Sequence, residues 1–137
     1  MRIKDIMNEE PYVFYGEDSL LTASNFMREE RVRNVPVIDK NNKLIGLITL
    51  REIIEGVIGN ERKLTVNEAM IKEVSTVGVD TPLRGAIELM LMNHYGCLPI
   101  VDSDGKLLGI ITETDLLKTL HDLTKVPEDF YKYYDVK

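Results

Sequence analysis

The chain has 137 residues, 44% of them hydrophobic and 29% charged, with no Trp. Its 17 basic and 23 acidic side chains leave a net charge of −6, which excludes the broad basic face that nucleic-acid binding needs for counterion release. One Cys and two His supply neither a disulfide nor a metal cluster, and no apolar run nears the roughly 20 residues of a membrane span.

The opening MRIKDIMNEE lacks the apolar stretch of a signal peptide, so a cytoplasmic protein is expected. The first predicted element is a short extended stretch, Tyr12-Val13-Phe14. A helix follows, with Leu20, Ala23, Phe26 and Met27 at helical spacing and Asp18 as its cap. Two strands come next, VPVID (35–39) and LIGLIT (44–49), joined by Asn41-Asn42. A second helix spans about 50–58, and 59–66, GNERKLTV, form a polar linker. The pattern then restarts with Ser75-Thr76-Val77. Thr81 is a good N-cap, with Pro82 at the first helical position, and Leu83, Ala86, Ile87, Met90 and Leu91 recur at helical spacing. The strands LPIVD (98–102) and LLGIIT (107–112) flank Asp104-Gly105, a strong hairpin signal. A last helix spans about 113–123. The tail from 124 has no counterpart; a short helix there, with Pro127 in its first turn, would align Phe130, Tyr133 and Tyr134.

A shift of 63 superimposes the two halves without a gap. Met7 falls on Met70, Leu20 on Leu83, Met27 on Met90 and Pro36 on Pro99; Asp39 falls on Asp102, Gly46 on Gly109 and Thr49 on Thr112. The fold class is therefore α/β: two tandem β-α-β-β-α units, 1–62 and 63–123, with a tail, 124–137. A unit of about 60 residues buries too little surface to be comfortably stable alone, so the two must share a core. The second strand of each hairpin is apolar at nearly every position and is expected to be covered on both faces. Met7, Met27, Met70 and Met90 read as core, and Cys97 as a small buried thiol rather than a reactive one.

A tandem repeat of this kind, with h-P-h-h-D, a hairpin and then G-h-h-T-x-x-[DE] (h, apolar), resembles the CBS domain, named after cystathionine β-synthase. Two in tandem resemble a Bateman module. The resemblance covers about residues 3–121. It implies two units packed by their sheets with pseudo-twofold symmetry, and two clefts between them. It also implies a regulatory module, often a homodimer, that binds an adenosine-containing ligand such as AMP, ADP, ATP or S-adenosylmethionine, requires no cofactor and signals to a regulated protein.

Thr112-Glu113-Thr114-Asp115 is the sharpest local motif. By itself it reads as a capping box, which needs no ligand. The same helix start also offers N–H groups and a positive dipole end to a phosphate, and a carboxylate there can accept from ribose hydroxyls. The resemblance implies that Asp115 holds ribose, with Thr112 and Thr114 beside it and Ile110 lining the base pocket. It further implies crosswise sites, so that Asp115 faces Val32-Arg33-Asn34 and the stretch around Tyr12-Val13. Arg33 suits phosphate, by bidentate contact. A second site would comprise Thr49, Arg51 and Glu52 opposite Tyr95-Gly96-Cys97. There Glu52 replaces the aspartate and Gly96 the arginine, so one good cleft is expected rather than two. The residues from 64 on carry 7 basic and 12 acidic groups against 10 and 11 before them, so cations for an anion should come from the first half. A ligand-free dimerisation or protein-interaction module is the alternative, with both motifs serving as caps. An enzyme is not expected: no paired nucleophile and base, metal cluster or Walker-type loop is present.

Overall fold

The two hairpin turns meet on the pseudo-twofold axis. Asn42 (φ 64°) and Gly105 (φ 81°) adopt the left-handed backbone their turns require. Lys43 bridges Lys106 there. The Leu44 N–H donates to the Gly105 carbonyl at 3.0 Å, and the Leu107 N–H donates to that of Asn42 at 2.9 Å. Each bond is the image of the other under the 63-residue shift. The structure, a computed structural model, describes residues 1–132.

The first unit holds β1 (Phe14–Tyr15), α1 (Leu20–Glu30), β2 (Asn34–Ile38), β3 (Leu44–Thr49) and α2 (Leu50–Ile58). Its sheet has the order β1-β2-β3, with β1 parallel and β3 antiparallel to β2. A four-residue helix α3 (Val66–Ala69) opens the second repeat, followed by α4 (Leu83–Asn93), β4 (Cys97–Val101), β5 (Leu107–Thr112) and α5 (Glu113–Leu123). The counterpart of β1 is a single parallel bridge, Val77 to Ile100. Of the two predicted extended starts, only Phe14 and Val77 thus pair with a sheet. The residues before them turn away: Tyr12 reaches Glu30, and the Ser75 hydroxyl bonds Tyr95.

Both predicted caps are displaced by one residue. Ser19, not Asp18, caps α1, its hydroxyl accepting from the Thr22 N–H at 3.2 Å. Pro82, not Thr81, stands at the N-cap of α4. The reason is shared. Asp18 accepts from the Tyr15 N–H at 2.8 Å and Thr81 from the Gly78 N–H at 3.2 Å, so each closes the turn before its helix and leaves the next residue to start it. In the tail, Glu128–Lys132 form a 3-10 turn; Tyr133 and Tyr134 lie outside the described residues.

The segments that open the repeats are exchanged. Ile3–Asp5 form a 3-10 turn against the second unit, where the Ile3 N–H donates to the Thr81 carbonyl at 2.9 Å. Val66–Ala69 pack on the first unit, where the Val66 N–H donates to the Asp18 carbonyl at 2.9 Å. Asn8 pairs with Ile110 through two backbone bonds, as Ile71 does with Leu47. Glycine makes room for both pairings. A Cβ on Gly109 would meet the Asn8 carbonyl oxygen at 2.5 Å, and one on Gly46 would meet that of Ile71 at 2.9 Å and collide with the Met70 thioether.

Each core is accordingly mixed. Val66 and Met70 join Phe14, Leu20, Met27, Val37 and Ile48 in the first unit. Ile3 joins Val77, Met90, Leu98, Ile100 and Ile111 in the second, with Met7 packed against them. A third cluster, Leu47, Cys97 and Ile110 with Val74 beside it, lies where the sheets of the two units meet. That is the shared core the small unit size demands.

Candidate functional site

The first turn of α5 sets the site. Thr112 is extended (φ −123°, ψ 167°), so its side chain turns back over the helix start. Its Oγ1 accepts from the Asp115 N–H at 3.3 Å, while Asp115 Oδ2 accepts from the Thr112 N–H at 2.8 Å and from its hydroxyl at 3.0 Å. The capping box is thus complete. Both bonds to the carboxylate go to Oδ2, and Oδ1 has no partner among the described residues. At α2, Glu52 plays the same part: its Oε1 accepts from the Thr49 N–H at 3.0 Å and from the Thr49 hydroxyl.

A cavity of about 850 Å³ opens in front of α5, between the units. Tyr12, Val32, Arg33 and Asn34 line it from the first unit, and Ile110, Thr112, Thr114 and Asp115 from the second. Of the residues named from the sequence for this cleft, only Val13 is not in its wall. Tyr12 is fixed from behind: its hydroxyl donates to Glu30 at 3.0 Å, its ring meets Phe26 edge-on at 4.9 Å, and the Glu30 bond and charge hold its ionisation above the ordinary phenol value.

The residues named for the second site divide. Thr49, Arg51 and Gly96 rim this same cavity instead of a separate one. Backbone pairing brings them there. Thr49 lies opposite Asn34 across the β2–β3 ladder, the Leu50 N–H donates to the Arg33 carbonyl at 3.0 Å, and the Glu113 N–H donates to that of Gly96 at 3.1 Å. Glu52, Tyr95 and Cys97 stand outside it. Glu52 is occupied by its cap. Tyr95 lines an apolar groove of about 610 Å³ between α4 and α5. Cys97 is buried between the units, and burial, helped by the Glu113 charge, pushes its thiol up to about 12.

Three basic wall residues escaped the sequence reading of this cleft: Arg31, His94 and Lys118. Arg31 is the left-handed C-cap of α1 (φ 56°), and His94 is its counterpart on α4 (φ 58°). Lys118 lies one turn beyond Thr114, on the same face of α5. Arg51 is paired with Glu55 at 3.0 Å. Among the described residues no His, Cys, Asp and Glu cluster suited to a metal is present, and no helix is long and apolar enough to cross a membrane.

The chain thus folds as a pseudo-symmetric pair of α/β units with a cavity of about 850 Å³ lined by both. The family model for the CBS domain matches the chain twice, over residues 3–59 and 66–122. The chain belongs to the CBS domain family and contains two copies of it. An uncharacterised 17.7 kDa protein of Acidianus ambivalens is 32% identical over 89% of this chain and 74% of its own length. The inosine-5'-monophosphate dehydrogenase of Methanocaldococcus jannaschii is 35% identical over 85% of this chain, but this chain spans only 22% of that enzyme. Among solved structures, the CBS domain pair of protein MJ0100 in complex with 5'-methylthioadenosine and S-adenosyl-L-methionine has a TM-score of 0.82, at 25% identity over 90% of this chain and 98% of that one. CBSX2 in complex with AMP has a TM-score of 0.79, at 26% identity over 90% and 98%.

Proposed function

We propose that this chain is a cytoplasmic sensor module that binds one adenosine-containing nucleotide in the cleft between its units and signals occupancy to a partner protein. One observation carries the reading. Asp115 from one unit and Arg33 from the other line a single cavity, a carboxylate for ribose hydroxyls opposite a guanidinium for phosphate. Ile110, Pro36 and Tyr12 offer the base an apolar wall. The complexes of CBSX2 with AMP and of the MJ0100 pair with adenosine compounds support this class of ligand. No chemical step is assigned to the chain. Cys97 is buried outside the cavity with its thiol protonated, and the polar residues of the wall suit holding a ligand.

Titration calorimetry with AMP, ADP, ATP and S-adenosylmethionine tests the proposal. Binding of at least one is expected at a single site per chain, weakened about tenfold or more in Asp115→Ala by loss of a charge-assisted hydrogen bond. Binding that Asp115→Ala leaves untouched would remove the assignment.

A ligand-free interaction module is the second reading, and the complete capping box at Thr112 and Asp115 favours it. It requires that no adenosine compound raises the melting temperature.

A further inference from the structure

Resting on the nucleotide reading above, we infer that the cleft is built for a nucleotide with a phosphate chain, a diphosphate or triphosphate. Arg31, Arg33 and Lys118 all line the cavity. All three are exposed, and none has an ion-pair partner among the described residues. The carboxylates in the wall are Glu113 and Asp115, and Asp115 is engaged by its own cap. A chain of net charge −6 therefore gathers an excess of positive charge around one cavity.

The repeat supplies an internal control. Under the 63-residue shift Arg31 becomes His94, Arg33 becomes Gly96, and Lys118 corresponds to Glu55. The scaffold residues repeat, but none of the three permanent cations does. They are therefore no requirement of the fold. They also enter from two sides: Arg31 and Arg33 from the loop that leaves α1, Lys118 from α5 one turn past Thr114. A chain of two or three phosphates offers oxygens to cations on both sides of the cavity. Guanidinium groups take phosphate oxygens bidentately, and the ammonium adds a point charge. S-adenosylmethionine is net positive, its sulfonium and ammonium outweighing one carboxylate, and it brings no phosphate to this wall. The cavity, at about 850 Å³, lies in the upper part of the range that holds small-molecule ligands.

Calorimetry of the full chain with adenosine, AMP, ADP, ATP and S-adenosylmethionine, at low and at physiological ionic strength, decides the matter. Arg31→Gln and Lys118→Gln are measured beside it. ADP or ATP is expected to bind at least about tenfold tighter than AMP, adenosine or S-adenosylmethionine, an advantage that shrinks with salt. Each substitution should cut the ratio of ATP to adenosine affinity by about tenfold without moving the melting temperature of the free protein. AMP, adenosine or S-adenosylmethionine binding as tightly as ATP would overturn the phosphate-chain inference and leave the nucleotide reading standing. So would a ratio unmoved in both variants. If no adenosine compound binds, both are wrong.

Discussion

At the scale of the residue, Asp115 combines two tasks that a substitution can separate. Its Oδ2 holds the first turn of α5 through Thr112, and Oδ1 is left for the cleft. Glu52 shows that a glutamate forms the same box at the equivalent position. Asp115→Glu should therefore keep the free energy of unfolding in urea within about 0.5 kcal/mol of the parent. Nucleotide affinity should fall about tenfold, because the added methylene moves the carboxylate into ribose space. If both change together, the two tasks are one. Cys97 gives a second test. Its thiol ionises at about 12 in the fold against 9.0 when free. The unfolded state thus loses its proton first, and folding should lose stability as pH rises from about 9 towards 12, but not below that window. Denaturant midpoints at pH 8 and pH 10 should show this loss, and Cys97→Ala should reduce it, leaving the smaller part that Tyr12 contributes. The folded protein should also resist thiol reagents at pH 8.

At the scale of the element, the exchanged segments make the strongest demand. Ile3 and Val66 are both fully buried, each in the core of the unit that its own repeat does not otherwise build. Ile3→Ala should cost about 2–5 kcal/mol. Its effect should appear in β4 and β5, whereas Val66→Ala should loosen β1 to β3. Amide hydrogen exchange resolved along the chain reads the difference; protection lost beside each mutation in sequence would contradict the exchange. These segments were not legible in the sequence. Each offers one apolar anchor in a short turn, and its partner lies in the other repeat, so no local period reveals it. The helices and hairpins were legible because Leu20, Ala23 and Met27, or Val37 and Ile48, repeat a period that one face of a helix or strand imposes. The cleft was legible where a motif marks it, at Thr112 to Asp115 and at Arg33. Arg31 and Lys118 were not, because a left-handed turn and the phase of α5 aim them there. The caps were missed by one residue, since Asp18 and Thr81 suit a turn as well as a helix start.

At the scale of the whole molecule, the helices on the outer faces are incompletely covered. No residue of α5 is buried, and Leu117 is 65%, Leu120 56% and Leu123 70% exposed. Ile54 and Val57 of α2 stand at the positions equivalent to Leu117 and Leu120, and they are exposed too. Two matching apolar stripes on one chain suit the same two stripes on a second copy, and a homodimer is the proposed assembly. Sedimentation analysis should give twice the 15.7 kDa mass, reverting to the monomer in Leu117→Glu with Leu120→Glu. A monomeric parent protein would remove the proposal. The exchange of segments has a further consequence, for synthesis of the chain. When the ribosome has delivered only the first repeat, that repeat lacks Val66 and Met70 and cannot close its core. Closure must wait until residues beyond 70 leave the exit tunnel, while the second unit has its borrowed piece, Ile3 to Asn8, waiting from the start. Cut from its twin, a lone repeat could complete itself only by taking that piece from another copy.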